Sequence, residues 1–542
     1  MRQTFYIGYA QDEWKLRPNF TMSYGLRFEY YAPMHETNNR VLWFNVPTGT
    51  LIPNYTGDWY TMRKNFGPRL GFTWAPDSLK SKTVFRIGAG YYYGPGLGEG
   101  QTQPPQNDRA SRTISTAGDP LLTFPANTQA ILSGFDINNP NLQFQPRAYL
   151  PDYRIPENIL QYSASIQQQL PAGAVLTVAY VGSQGRNLFM RSITNKITGV
   201  IMNPTTGAGI PIREFSVVNG TTVTNRFAEI DTKTSGGTDS YNGMQVLLSR
   251  RFARGFTLSS QWVWSRSIGD SDGSKDMQTS ANNYSFTSER GNNVSDVRHS
   301  FNFNALYELP YGPGKKYGSS AGPVARTLLA GWQLGTVFNA RTGLPIEVLI
   351  ARPDIVYRNT TTGAITASPV ISNGVIQTVP VINVPGGGAS RNRRRPDLVP
   401  GVDPYLHGMA GNNAVLWLNP AAFAVPQPGT YGNLARNALR GPGMNQLDLT
   451  ASKKIPFREG RSFEFRAECY NLLNHAVFQI PNYATVSGGF ARLADATGIL
   501  QPGQAYTAAA AGGNFGALTS TVSNQVGSGT NRQFQFVMKL NF

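Results

Sequence analysis

Along much of the chain every second residue is apolar, in runs of about ten residues. In residues 19–31, Phe20, Met22, Tyr24, Leu26, Phe28 and Tyr30 alternate with Thr21, Ser23, Gly25, Arg27 and Glu29. Residues 255–266 set Phe256, Leu258, Trp262 and Trp264 against Thr257, Ser259 and Gln261. Residues 297–309 set Phe301, Phe303, Ala305, Tyr307 and Leu309 against Asn302, Asn304 and Glu308. In residues 461–471, Phe463, Phe465, Ala467 and Cys469 oppose Glu464, Arg466, Glu468 and Tyr470. A period of two sends successive side chains to opposite faces of a strand. One such run suits a soluble sheet as well as a membrane strand, and length separates them. Soluble strands average about 5 to 6 residues, whereas tilted membrane-spanning strands need about 9 to 11.

The pattern predicts about thirteen strands, near residues 4–15, 19–31, 65–75, 83–93, 159–169, 174–186, 240–252, 255–266, 297–309, 330–341, 444–455, 461–472 and 531–542. Short turns at 17–19, 171–173, 253–255 and 457–460 take turns with long segments near 32–64, 94–158, 187–239, 267–296, 342–443 and 473–530. Outer-membrane barrels have this asymmetry, with short periplasmic turns and long extracellular loops. The expected fold is all-β: a transmembrane antiparallel β-barrel in which residues 1–542 form one domain and supply part of a larger barrel. With the short turns periplasmic, Tyr30, Tyr93 and Trp264 mark an outer aromatic girdle and Trp74, Tyr307 and Trp332 an inner one. One strand breaks the parity, since Phe5, Ile7 and Tyr9 fall on one face and Trp14 on the other. A bulge between them would reconcile the two.

Composition supports strands over helices. Aromatics make up 11% of the chain and charged residues only 15%, with 57 Gly and 36 Pro; an ordinary globular domain is about 25% charged. No stretch reaches the roughly 18 apolar residues of a membrane helix. The formal charge of +17 suits a protein beside an anionic surface such as lipopolysaccharide. Nucleic acid is not expected as a partner, because the aromatics follow the strand period and are not interleaved with arginines as stacking platforms. The single cysteine, Cys469, excludes an internal disulfide framework and a Cys-rich zinc site.

Catalytic chemistry does not assemble. His35, His299, His407 and His475 are far apart, and none has a partner at metal-ligand spacing. Asp296 and His299 lie three apart without a nucleophile motif, and Gly88, Gly90 and Gly94 sit within an alternating strand, not between a strand and a helix. Asp270, Asp272 and Asp276 match a calcium loop only in part, because Gly273 comes too early and no Glu closes the motif. The expectation is a non-enzyme with no cofactor and no metal. Arg391, Arg393, Arg394 and Arg395 fall in the longest expected extracellular segment, where they form either a solvated loop or a contact for lipopolysaccharide phosphate or an anionic substrate. At the other extreme, Phe534, Phe536, Met538, Leu540 and Phe542 alternate with polar partners to the last residue, where chains usually fray unless tied down.

The segments YAQDEWKLRPNFTMSYGLRFEYYAP at 9–33, NFGPRLGFTWAP at 65–76, RHSFNFNALYELPYG at 298–312, SFEFRAECYNLLNHAVF at 462–478 and the closing RQFQFVMKLNF resemble the barrel of TonB-dependent receptors. GWQLGTVFNARTGLP at 331–345 is similar to the Oar-like subgroup. The resemblance implies a Gram-negative outer-membrane transporter that admits a bulky substrate past a plug domain, driven by the TonB complex. No counterpart of the plug, of the TonB-contacting segment or of a signal peptide is found here. Barrels of this class have about 22 strands, so about nine further strands and the plug are expected upstream of Met1. The implied partners are outer-membrane lipid and lipopolysaccharide, the barrel-assembly machinery reading the row that ends at Phe542, and TonB through the plug. The rival functions are an adhesin-like or structural barrel without transport, an outer-membrane barrel enzyme, and a secreted β-rich binding protein.

Overall fold

The structure is a computed structural model that describes residues 1–62, 64–95, 102–105, 145–272, 286–383, 394–411, 414–458, 461–481, 490–494, 500–512, 514–522 and 531–542. Thirteen strands form the continuous path of its main sheet: β1 (Phe5–Arg17), β2 (Phe20–Tyr31), β3 (Asn65–Trp74), β4 (Thr83–Gly94), β5 (Glu157–Gln169), β6 (Ala174–Thr194), β7 (Ile230–Ala253), β8 (Phe256–Gly269), β9 (His299–Glu308), β10 (Trp332–Arg341), β11 (Met444–Arg458), β12 (Arg461–Tyr470) and β13 (Gln533–Asn541). Each pairs antiparallel with its neighbour in chain order. Among the described residues β1 has only β2 as a partner along this path and β13 only β12, so both outer edges of the sheet carry unpaired backbone.

Residues directly opposite each other in adjacent strands share a face, so the register carries one face across the whole sheet. Tyr24 faces Leu70 and Leu70 faces Ala89. Two residues along β4, Ile87 faces Ala164; then Ile166 faces Val178, Val178 faces Val246, and Val246 faces Trp262. Trp262 faces Phe301, Phe303 faces Phe338, Phe338 faces Leu447, Leu449 faces Cys469, and Cys469 faces Phe534. All four apolar rows read from the sequence therefore lie on one surface. That surface is open: Leu70 is 45% exposed, Ile87 60% and Phe536 68%. A continuous exposed apolar surface of this extent is far beyond what a soluble domain shows, and hydrocarbon is the medium that suits it.

Cross-strand aromatic pairs reinforce the register, each contributing roughly 0.2 to 1 kcal/mol. Near the short turns, Trp74 meets Phe85 at 5.5 Å between ring centroids and Phe256 meets Tyr307 at 6.3 Å; near the long connections, Tyr6 meets Tyr30 at 6.2 Å. The turn between β7 and β8 has positive φ at both central residues, Arg254 (53°) and Gly255 (79°). A two-residue hairpin needs that geometry to follow the strand twist. The parity break in β1 has a different resolution from the expected bulge. Pairing with β2 is regular from Phe5↔Tyr31 to Lys15↔Thr21. Trp14 lies opposite Met22 on the apolar surface, while Ile7 and Tyr9 lie opposite Glu29 and Arg27 on the polar one. No bulge separates them; Phe5, Ile7 and Tyr9 simply point to the polar side, where Phe5 packs edge-on against Tyr31 at 5.2 Å.

Strands β6 and β7 have 21 and 24 residues. At about 3.3 Å per residue, β7 spans roughly 80 Å, against an apolar band about 25 Å tall. Their far ends rise into a layer made by the long connections, and the buried hydrophobic clusters of the described residues gather there. Ile346, Val348, Leu418, Phe423, Leu493 and Tyr506 belong to one cluster, and Tyr31, Trp59, Tyr149, Tyr153 and Phe189 to a second. The long connections are therefore folded around cores of their own.

The register fixes which substitutions the apolar band rejects. Val246→Arg or Phe303→Arg, near the middle of the band, is expected to destabilise by about 2 to 4 kcal/mol, whereas Gln245→Arg and Asn304→Arg on the other face should be tolerated. Urea-dependent folding into liposomes measures the difference, and equal sensitivity of both faces would contradict the assignment.

Candidate functional site: the polar concave face and its loop layer

The face opposite the apolar one carries mostly polar side chains and glycines, and it is concave. A hollow of about 790 Å³ is lined from seven adjacent strands, among them by Glu13, Ser23, Arg69, Gly90, Ser163 and Tyr241. Glycine keeps it open: a Cβ on Gly71 would come within 2.7 Å of Ser23 Oγ, and one on Gly90 within 3.1 Å of Arg69 Cγ. Arg69 lies over the Tyr92 ring, 4.5 Å from its centroid. Hydroxyls, amides, the Glu13 carboxylate and one stacked guanidinium make it a wettable surface. Among the described residues no group of three or more His, Cys, Asp or Glu is placed to hold a metal.

Above this face, a chain of buried ion pairs ties the connection after β8 to the one after β10. Arg395 reaches Glu289 and Glu347, both at 2.8 Å. Arg436 pairs with Asp272 and donates to the Glu289 carbonyl at 3.2 Å. Arg440 pairs with Asp296, which Arg298 also approaches at 3.3 Å. Deeper, Asp231 takes Arg191 at 2.7 Å and the fully buried Lys233 at 3.2 Å. Removing a charge from water costs several kcal/mol, so such groups persist only when partners answer nearly every donor.

Two members of the arginine run expected at the surface are placed otherwise. Arg391 and Arg393 lie outside the described residues, while Arg394 and Arg395 are buried. Arg394 donates to the carbonyls of Thr430 (3.1 Å) and Gln427 (2.8 Å) and to Asn383 Oδ1 (2.9 Å). Burial, with Arg352 beside it, pushes Arg394 down to about 10, so it stays charged at neutral pH. Burial works against the charge of Arg395 too, but Glu289 and Glu347 outweigh it and hold its pKa above the usual value. Neither side chain is solvated, and their donors are taken up inside the layer.

The remaining candidates disperse. Asp272 holds a guanidinium where a calcium loop would hold its ion, and Asp270 accepts from the Thr238 amide at 2.5 Å and from its hydroxyl at 3.0 Å. Asp276 lies outside the described residues. His299 stacks on Trp262 at 5.9 Å on the apolar face, away from the ion pairs of Asp296. His35 forms a backbone bridge with Arg2, His407 sits in the loop-layer strand Tyr405–Gly411, and the His475 backbone donates to Asn471 Oδ1 and accepts from Asn471 Nδ2 just past β12. Phe534, Phe536, Met538 and Leu540 form an exposed row on the apolar face of β13, and Phe542 follows it, 88% exposed. Sequence reasoning missed Arg436, Arg440, Glu289 and Glu347, whose partners lie up to 164 residues away.

Arg436→Ala leaves Asp272 buried without its partner and is expected to weaken the loop layer by about 3 to 5 kcal/mol. Hydrogen exchange should rise in residues 286–298 and 430–440, with the main sheet still folded by its gel mobility. Unchanged exchange would show that the ion pairs do not hold the layer.

The sequence profile of the outer membrane beta barrel domain matches residues 1–535. No curated protein sequence matches the chain significantly. Similar solved structures include the ferric-catecholate import receptor Fiu from Escherichia coli K12, at 10% identity and a TM-score of 0.37, with 99% of this chain and 44% of that one covered. The outer membrane transporter YddB from Escherichia coli gives 9% identity and a TM-score of 0.42, over 99% and 45% of the two chains. The FrpB iron transporter from Neisseria meningitidis gives 9% and 0.39, over 100% and 45%. The chain thus spans less than half the length of these structures. With the profile matched over nearly all of its residues, and with an exposed apolar face carried through thirteen strands, the chain belongs to the outer membrane beta barrel domain family and is a protein of the outer membrane.

Proposed function

We propose that the chain is the barrel portion of a TonB-dependent receptor of the Oar-like type, which takes up a bulky substrate from outside the cell. The observation that carries this reading is the width of the wall. Thirteen neighbouring strands whose outermost members, among the described residues, pair with no further strand of the path describe a barrel far wider than the eight-stranded kind that side chains fill. In a bilayer the edges of β1 and β13 must be covered by further strands, because hydrocarbon offers no water to unpaired backbone groups. A wide polar lumen under a structured roof of long connections suits capture and passage of a large solute. In this reading the long connections face outward, Arg391 and Arg393 are the candidate contacts for an anionic substrate or lipopolysaccharide, and coupling to TonB runs through a plug elsewhere in the whole protein.

The reading is tested on the whole receptor in native outer membranes. The periplasmic domain of TonB, carrying a photo-crosslinker, should capture it, and uptake should stop when the inner-membrane energising complex is deleted. A correctly assembled protein that TonB never captures would instead be a barrel without transport, such as an adhesin.

The exposed row ending at Phe542 is proposed as the signal for the assembly machinery. Phe542→Ser is expected to lower the amount of assembled receptor in the outer membrane severalfold, with the misassembled protein degraded. Unchanged surface levels would remove that role.

A further inference from the structure

The short-turn end of the sheet carries a charge imbalance that the transport reading does not use. Segments 15–20, 75–83, 169–175, 250–256, 308–331, 453–461 and 539–542 hold fifteen Lys and Arg against three acidic residues, which is +12 of the chain's formal +17. Among the described residues, only Lys315 at this rim has a carboxylate partner, Glu308 at 2.9 Å.

These cations alternate with exposed apolar side chains. Leu16, Leu79, Phe252, Leu328, Phe457 and Phe542 are all exposed, one at nearly every turn. The cations are also held against aromatic rings at the border of the apolar band: Arg250 lies 5.2 Å from the Phe256 ring, Lys316 5.1 Å from Tyr317, and Lys453 5.0 Å from Trp332. The short helix Pro323–Leu329 lies along this border with Val324, Leu328 and Leu329 exposed. Its end is pinned by Lys453, which donates to the carbonyls of Leu328 and Ala330, and by the Trp332 indole, which donates to Leu328. Apolar anchors at the depth of the acyl chains, with cations just beyond them, match the layering of an anionic phospholipid headgroup region.

We propose that the short-turn rim is a docking surface for anionic phospholipid headgroups, of the phosphatidylglycerol type, in the leaflet it faces. The inference takes the orientation proposed above, with the short turns on the periplasmic side. Each Lys or Arg close to such a surface favours an anionic lipid by about fivefold. The rim therefore gathers these lipids around itself and sets the depth of the wall in the membrane.

The test uses the whole protein in nanodiscs of equal phosphatidylglycerol and phosphatidylcholine, with the lipids that stay bound after partial delipidation quantified by mass spectrometry. The bound fraction should be enriched about fivefold or more in phosphatidylglycerol, and the enrichment should vanish in about 1 M salt, where the screening length falls to about 3 Å. It should also fall severalfold when Arg17, Arg254, Lys316 and Arg326 are changed to Gln, and persist undiminished when Arg40, Arg290, Arg358 and Arg532 at the opposite end are changed instead. No enrichment in the unmodified protein, or equal loss in both variants, overturns the proposal. If the rim variant fails to assemble, the unmodified protein decides alone. Brominated phosphatidylglycerol should quench tryptophan fluorescence more than brominated phosphatidylcholine, owing to Trp14 and Trp74 beside the rim, and equal quenching overturns the proposal. Orientation is read separately by Ser319→Cys, which a membrane-impermeant reagent should not label on intact cells. Labelling there would overturn the leaflet assignment while leaving the lipid preference to stand or fall by itself.

Discussion

Inside a bilayer no water reaches the hydrocarbon, so each backbone N–H and C=O must find its partner within the protein. For strands this leaves one solution, an uninterrupted ladder from neighbour to neighbour, and the rest of this structure depends on that ladder. Because pairing is continuous from β1 to β13, parity chosen in one strand is imposed on every other. Thirteen sequence segments that alternate independently thereby come to present a single apolar surface and a single polar one. The same constraint makes the outer edges of β1 and β13, which among the described residues meet no further strand of the path, the least self-sufficient part of the sheet.

Where the strands leave the apolar band, the physics reverses. In the band, apolar side chains are exposed and the backbone supplies the order; in the loop layer, apolar side chains are buried and charged groups join them. Phe189 and Met190 are nearly inaccessible in the same stretch as Ser192 and Thr194, and Lys233 is fully buried against Asp231 and the Phe189 ring. Ordering connections of this length costs about 1 to 2 kcal/mol per residue in backbone entropy. Separate hydrophobic clusters and paired charges offset that cost, giving the polar face a fixed roof.

Much of the barrel wall was legible in the sequence. A period of two persists over each band segment, and the expected limits of β1, β3, β4 and β12 fall within about two residues of those observed. The upper parts of β6 and β7 were not legible. There both faces are buried in protein, so Asp231, Thr232, Lys233 and Thr234 are enclosed without alternating apolar and polar positions. Trp14 misled for another reason: Phe5, Ile7 and Tyr9 are apolar yet belong to the polar face, and alternation alone does not say which parity meets lipid. Arg394 and Arg395 read as a solvated basic run because the carboxylates that take Arg395 are 48 and 106 residues away. Charge pairing at that separation leaves no local pattern.

A single register gives the wall one lipid face and one water face. The most direct measurement places a nitroxide label in turn at residues 300–307 of the assembled protein and reads its accessibility to oxygen, which concentrates in lipid, and to a water-soluble nickel chelate. A single register requires alternation with a period of two, oxygen dominating at 301, 303, 305 and 307 and nickel at 300, 302, 304 and 306. Accessibility without that alternation, or alternation of the opposite phase, would contradict it.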